Sequence, residues 1–171
     1  MGLLGSNEFN NLNDLFVHQL GDLYDAENRL IDALPKMADA ACSQQLKTAF
    51  SEHLMQTRTH AQRLEQVFHR IGCEPKRETC PAMKGLIQEG QDMIDAKGDD
   101  AVRDAALIAA AQRVEHYEMA GYGTVRTFAQ QLGLTDVAQT LQQTLDEEGE
   151  TDKMLTRIAQ AGINQQAKMH A

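Results

Sequence analysis

The sequence puts acidic and imidazole side chains where amphipathic helices would carry apolar ones. A helix turns ~100° per residue, so each polar residue can be set against the apolar stripe of its own segment. Glu27 falls within about 20° of the line through Leu20, Leu23 and Leu34, whereas Asp22 and Asp25 point away to solvent. Glu118 is equally central between Val114, Tyr122 and Val125, and Glu115 lies within about 40° of the same line. Glu148 and Asp152 both share the stripe of Leu141, Leu145, Leu155 and Ala159. His53, Thr57 and His60 replace apolar residues in the series Leu46, Phe50, Leu64. Five carboxylates and two imidazoles are therefore expected at one level of a helical core.

Burying a lone carboxylate is costly, and several together repel one another. Such a layer has two physical resolutions: a cation that keeps the groups charged, or a hydrated or protonated polar centre. Each residue alone is weak evidence, since an inward Glu can sit at a bundle end and a core His is commonly just hydrogen-bonded. Convergence favours the cation, because Glu27, His53, His60, Glu118 and Glu148 fall at matching distances from their turns. Mixed carboxylate and imidazole donors suit iron, manganese or zinc, whereas calcium takes oxygen alone. Iron or manganese is the expected cofactor.

The elements that must hold these groups follow from spacings of three and four. A first helix is expected from about Asn13 to Ala41, bent at Pro35, and a second after the Cys42-Ser43 turn, ending at Gly72. Cys73 to Pro81 reads as a loop, and Pro81 suits the first position of a short helix reaching Ala96. A third long helix follows Gly98-Asp99-Asp100 to about Gln131. A turn with an N-cap at Gly133-Leu134-Thr135-Asp136 opens the fourth, to about Ala161, and the tail from Asn164 is expected to fray. Tight turns make two antiparallel hairpins, and the long link from Gly72 to Ala101 carries the chain back along the bundle. One long crossover is the ferritin-like variant of the all-α four-helix bundle, here a single domain with a short extra helix. A shift of 91 residues brings Phe16 onto Leu107, Leu23 onto Val114, Glu27 onto Glu118, Phe50 onto Leu141 and Thr57 onto Glu148, as an internal repeat would.

Bundles of this kind place a Glu on each of two helices and Glu-x-x-His on the other two. Agreement here is partial. Glu27 and Glu118 fit the single-Glu roles, and Glu115 adds a carboxylate one turn away. The second helix offers His53-Leu54-Met55-Gln56-Thr57 and His60 without the Glu, and the fourth offers Glu148 with Asp152 in place of a His.

Composition agrees with helix and excludes several functions. The 171 residues include 22 Ala, 18 Leu and 17 Gln against 13 Val plus Ile, with no Trp, a mixture that starves a sheet. A net charge of -9 with no basic patch argues against nucleic-acid binding. The longest nearly uncharged run, Ala105 to Gln112, is far below the ~20 residues of a membrane span, and Met1 to Asn13 lacks the features of a signal peptide. The Met1-to-Ser6 match to the loose myristoylation pattern is read as coincidence. Cys42, Cys73 and Cys80 fit neither a full disulfide set nor a zinc motif, which points to reduced thiols in the cytoplasm. No nucleotide loop or nucleophile elbow occurs, and no motif identifies a small-molecule substrate. Gly121-Tyr122-Gly123 reads as close helix packing, and Glu147-Glu148-Gly149-Glu150 as a solvated run with only Glu148 turned inward. Tyr24 and Tyr117 read as packing or surface residues, with redox-active neighbours of the centre as the alternative, and His69, His116 and His170 as surface. A second, weakly polar face of the third long helix runs through Ala105, Ala109, Gln112 and Ala120, and its small residues allow another helix to approach, which predicts a symmetric dimer.

Asp22-Leu-Tyr-Asp-Ala-Glu27, the His53-Leu-x-x-Thr57 segment followed by Arg63-Leu-Glu-Gln-Val67, and Val102-Arg-Asp-Ala-Ala-Leu-Ile-Ala-Ala-Ala-Gln-x-Val-Glu-His-Tyr-Glu118 resemble the YciE/YciF family of bacterial ferritin-like proteins. The resemblance runs from about Leu12 to Ala159. It implies a ferritin-like bundle, a homodimer, expression linked to general or osmotic stress, and a metal centre, without supplying a reaction. The family usually has Glu where this chain has Gln56, which leaves one candidate ligand neutral. The expectation is a cytoplasmic stress-response protein with a carboxylate/His metal centre; the competing class is a dimeric scaffold with a vestigial polar core. In the first case Glu27, Glu115, Glu118 and Glu148 are the oxygen donors and His53 and His60 the nitrogen donors.

Overall fold

A computed structural model describes residues 8–169. The helices are α1 (Leu12–Ala40), α2 (Gln44–Arg70), α3 (Pro81–Asp95), α4 (Asp100–Gln131), α5 (Thr135–Ile158) and α6 (Asn164–Met169), with no strand among the described residues. Asn11, Ser43, Cys80 and Asp99 cap α1 to α4 with side-chain acceptors, satisfying backbone N–H groups left open at helix starts. α1 runs through Pro35 without interruption, because Pro35 lies on the exposed face where the carbonyl it leaves unpaired meets water.

Two antiparallel hairpins, α1–α2 and α4–α5, form the bundle, and α3 packs on α4 and α1. The crossover brings α4 to start beside the α1–α2 turn, where Asp104 accepts the N–H groups of Cys42 at 2.8 Å and Ser43 at 2.7 Å. The crossover itself lies flat on α1. Glu78 donates its N–H to the Gly21 carbonyl at 3.0 Å, and a Cβ at Gly21 would stand 2.7 Å from Glu78 Cγ. Only glycine admits that approach.

Two apolar clusters fill the interior. One holds Leu30, Leu34, Phe50, Leu107, Leu155 and Ile158; the other holds Phe16, Leu20, Leu64, Phe68, Val125 and Leu141. The polar residues singled out above lie on the helix turns between them. Gly121 does permit close packing, since a Cβ there would stand 2.7 Å from Leu23 Cδ2, whereas one at Gly123 would meet nothing.

Three expectations fail. Asp25 does not face solvent: it is buried, because the crossover folds over it and supplies partners no helical angle could reveal. α5 starts at Thr135, and its N-cap residue, Leu134, offers no side-chain acceptor. The tail from Asn164 does not fray through 169: the chain kinks at Gly162, Ile163 sits in the core and α6 then packs on α4. Met1 to Ser6 and His170 lie outside the described residues. None of the described helices is long and apolar enough to cross a membrane.

Candidate metal centre

The centre is assembled from four helices. Glu27 of α1, His53 and His60 of α2, Glu115 and Glu118 of α4 and Glu148 of α5 are all buried, none more than 2% exposed. Their donor atoms fall into two groups. His53, Glu115, Glu118 and Glu148 form one, and Glu27, His60 and Glu148 the other; within each, one donor atom per residue lies within 4.8 Å of the rest. Glu148 belongs to both. A shared carboxylate between two donor sets is the arrangement that spans a pair of divalent ions.

The contacts are close but unaligned. His60 Nδ1 stands 2.9 Å from Glu148 Oε1 and 3.6 Å from Glu27 Oε1, and His53 Nε2 stands 3.2 Å from Glu115 Oε1. None of these pairs has hydrogen-bond alignment. Among the described residues nine buried side-chain N or O atoms lack a hydrogen-bond partner, and every one except Arg126 Nε belongs to these six residues. Native proteins leave few such atoms, since each costs about 1–3 kcal/mol. The donors therefore fit a cation: oxygen and imidazole nitrogen from four helices, inward and unpartnered.

Without a cation three of the four carboxyls are shifted toward their neutral form and both imidazoles toward their charged form. Burial, with Glu148 nearby, raises Glu27 to about 8, and burial raises Glu115 to about 7 against the pull of His53. Glu118 rises well above the ordinary carboxylate range through burial and then the charges of Glu27, Glu148 and Glu115. Burial disfavours the charged form of His53, but Glu115 overcomes this and lifts it to about 10. His60 is raised in the same way by Glu148 and Glu27. Glu148 alone among the four carboxylates is lowered: burial opposes its charge, and His60 and His53 outweigh it.

Residues 11–168 match the model of a family described as a domain of unknown function, DUF892. The chain belongs to the DUF892 family. It is 45% identical to protein YciF of Escherichia coli over 161 residues, 94% of this chain and 97% of that protein. The crystal structure of the E. coli stress protein YciF superposes with a TM-score of 0.88 at 44% identity, covering 91% of this chain and 99% of that one. YcfI from Rhodopseudomonas palustris, described as a proposed structural protein, gives 0.86 at 39% identity over 88% and 96%. The helical bundle is thus the shared fold of the family.

In this DUF892 chain two of the sequence candidates stand apart from both donor groups. Asp152 is half-buried at the α4–α5 seam, where it accepts from Gln112 Nε2 at 2.9 Å and lies 3.3 Å from His116 Nε2. Gln56 is half-buried with Oε1 3.5 Å from His53 Nδ1, on the far side of that ring from the carboxylates. His69 and His116 are exposed as expected.

Sequence reasoning missed the outer partners. Glu147, read as part of a solvated run, reaches back to His60 Nε2 at 2.8 Å and is clamped by Arg63 at 2.5 and 3.0 Å. Burial opposes its charge, yet Arg63 and His60 hold it down to about 2. Tyr122 donates its hydroxyl to Glu27 Oε1 at 2.5 Å. Tyr117 donates to Asp22 and lies 2.9 Å from Cys80 Sγ. Arg63, three residues after His60, was the one available signal: a cation beside an inward imidazole calls for an acid on the facing helix.

Proposed function

We propose that this protein is a cytoplasmic stress-response protein built around a two-ion iron or manganese centre. The observation that carries it is the set of eight unpartnered donor atoms converging from four helices on one shared carboxylate. Glu27, His60 and Glu148 would hold one ion, and His53, Glu115, Glu118 and Glu148 the other. Such a pair of ions, when bound, would supply one-electron chemistry toward oxygen or peroxide. The chain supplies the rest: two apolar clusters that exclude water, Tyr122 fixing one oxygen of Glu27, and Glu147 fixing the ring of His60. The stress assignment is taken from the E. coli relative, and the cytoplasmic one rests on the free thiols of Cys42, Cys73 and Cys80. Assembly as a homodimer through α4 belongs to the same reading. Ala109 and Ala120 are exposed there, although Gln112 turns instead to Asp152 and Thr156 of its own chain.

A second reading, a structural protein with a vestigial polar layer, is favoured by Thr57 and Thr151. They stand where Glu-x-x-His motifs ending at His60 and beginning at Glu148 would place a Glu and a His. Elemental analysis of protein purified without chelator separates the two. Iron or manganese retained at up to two ions per chain supports the first. Metal-free protein that also fails to take up either ion supports the second.

A further inference from the structure

We infer that the two halves of the centre are unequal, with Glu27, His60 and Glu148 forming the tight, first-filled cation site and Glu147 acting as the positioning residue that makes it so. The inference rests on the metal-centre reading above and assigns an order of filling and a cause.

The two imidazoles differ in what stands behind them. Behind His60, Glu147 Oε2 lies 2.8 Å from Nε2, and Arg63 fixes that carboxylate through two contacts while also donating to Thr144 Oγ1 at 3.3 Å. A carboxylate can only accept, so Nε2 carries a proton there, and Nδ1, turned toward Glu148 and Glu27, is the nitrogen left for a cation. Tyr122 holds the other side of this half, its ring edge against His60 with centroids 6.4 Å apart and its hydroxyl on Glu27.

Behind His53 there is no carboxylate. Its Nδ1 meets only Gln56 Oε1 at 3.5 Å and Thr151 Oγ1 at 3.4 Å, both neutral and long. The Thr151 hydroxyl is already given to the Glu147 carbonyl at 3.1 Å. In front the two rings are alike, His53 Nε2 standing 3.2 Å from Glu115 Oε1 and His60 Nδ1 2.9 Å from Glu148 Oε1, so the difference between the halves lies behind the rings. Counting inner carboxylates alone ranks the His53 half first. Preorganisation reverses the order, because an outer carboxylate on a ligating imidazole changes metal affinity by about 10- to 100-fold.

Titration of Mn(II) into the metal-free full chain, followed by calorimetry and by the loss of the mononuclear electron paramagnetic resonance signal as ions pair, tests this. Two events are expected. Glu147→Gln weakens the first by about 10- to 100-fold and spares the second. Gln56→Glu, which places a carboxylate behind His53, tightens the second by about 10-fold and spares the first. Glu118→Gln removes the second event alone. Melting curves of each metal-free variant verify the fold, and the Gln56 and Glu118 arms stand if Glu147→Gln does not fold. Loss of the first event in Glu118→Gln, or no change in Glu147→Gln, overturns the unequal sites and leaves the metal centre standing. A wild-type chain that binds no Mn(II) overturns both.

Discussion

Buried carboxylates occur in this molecule in two settings. Asp25 and Asp104 hold the chain's connections, and their oxygens are spent. Asp25 accepts the Cys80 N–H at 2.9 Å, Arg29 at 2.5 Å and Arg77 at 2.8 Å, which together hold its carboxyl below the usual range despite burial. Asp104 takes both N–H groups of the α1–α2 turn. Glu27, Glu115, Glu118 and Glu148 are as deeply buried and keep unpartnered oxygens. At the anchors the protein itself settles the desolvation cost with donors. In the central layer it leaves the cost open, and a cation is the partner whose charge and size would close it.

That contrast can be broken at either end. Asp25→Ala should have the largest effect, since it leaves two guanidinium groups and a buried N–H without their acceptor. A loss of about 3 kcal/mol is expected, or roughly 6–10 °C in melting temperature for a chain of this length, with or without metal. Asp104→Ala should cost about 2 kcal/mol, less because Cys42 is exposed and water can reach its N–H. Urea denaturation measures both; a loss under 0.5 kcal/mol for Asp25→Ala would show that the anchors do not carry the crossover.

The sharper prediction concerns pH. Glu27 at about 8 and Glu115 at about 7 are raised carboxylates, so their contribution in metal-free protein is complete below the ordinary carboxylate range and is lost as pH rises through those values. His53, at about 10, acts in the same sense, its contribution present below the ordinary imidazole value and lost as pH rises toward 10. The melting temperature of metal-free protein should therefore fall between about pH 6 and about pH 9. Saturating Mn(II) should flatten the fall, because a bound cation holds its ligands ionised. A metal-free melting temperature that rises across this range would contradict the assigned shifts.

What the sequence made legible follows from the same geometry. Helical angle is a property of one segment, so Glu27, Glu118, Glu148, His53 and His60 could each be turned inward by counting from neighbouring leucines, and the glycines and prolines marked the turns. Asp25, Asp104 and Glu147 were invisible to that test because their partners come from elsewhere: the crossover, the α1–α2 turn and α2. Asp152 failed the opposite way. Its angle to the chosen leucines is inward, but the buried face of α5 runs through Thr144, Glu148, Thr151, Leu155 and Ile158, and Asp152 lies beside it against Gln112 and His116 of α4. The helical tail was missed because one residue, Ile163, decides it, and one residue makes no period.

Thermal melting of wild type and Glu118→Gln, each with and without Mn(II), tests the central claim most directly. Burial and the neighbouring acids disfavour the charged form of Glu118, a cost a neutral amide does not carry, so the metal-free variant should melt higher, by the equivalent of about 1 kcal/mol. With Mn(II) the order should reverse, because wild type gains more from binding to the folded state than a variant lacking one ligand. A variant that stays the more stable of the two at saturating Mn(II), with neither protein responding to the metal, would contradict the claim that a cation closes the layer.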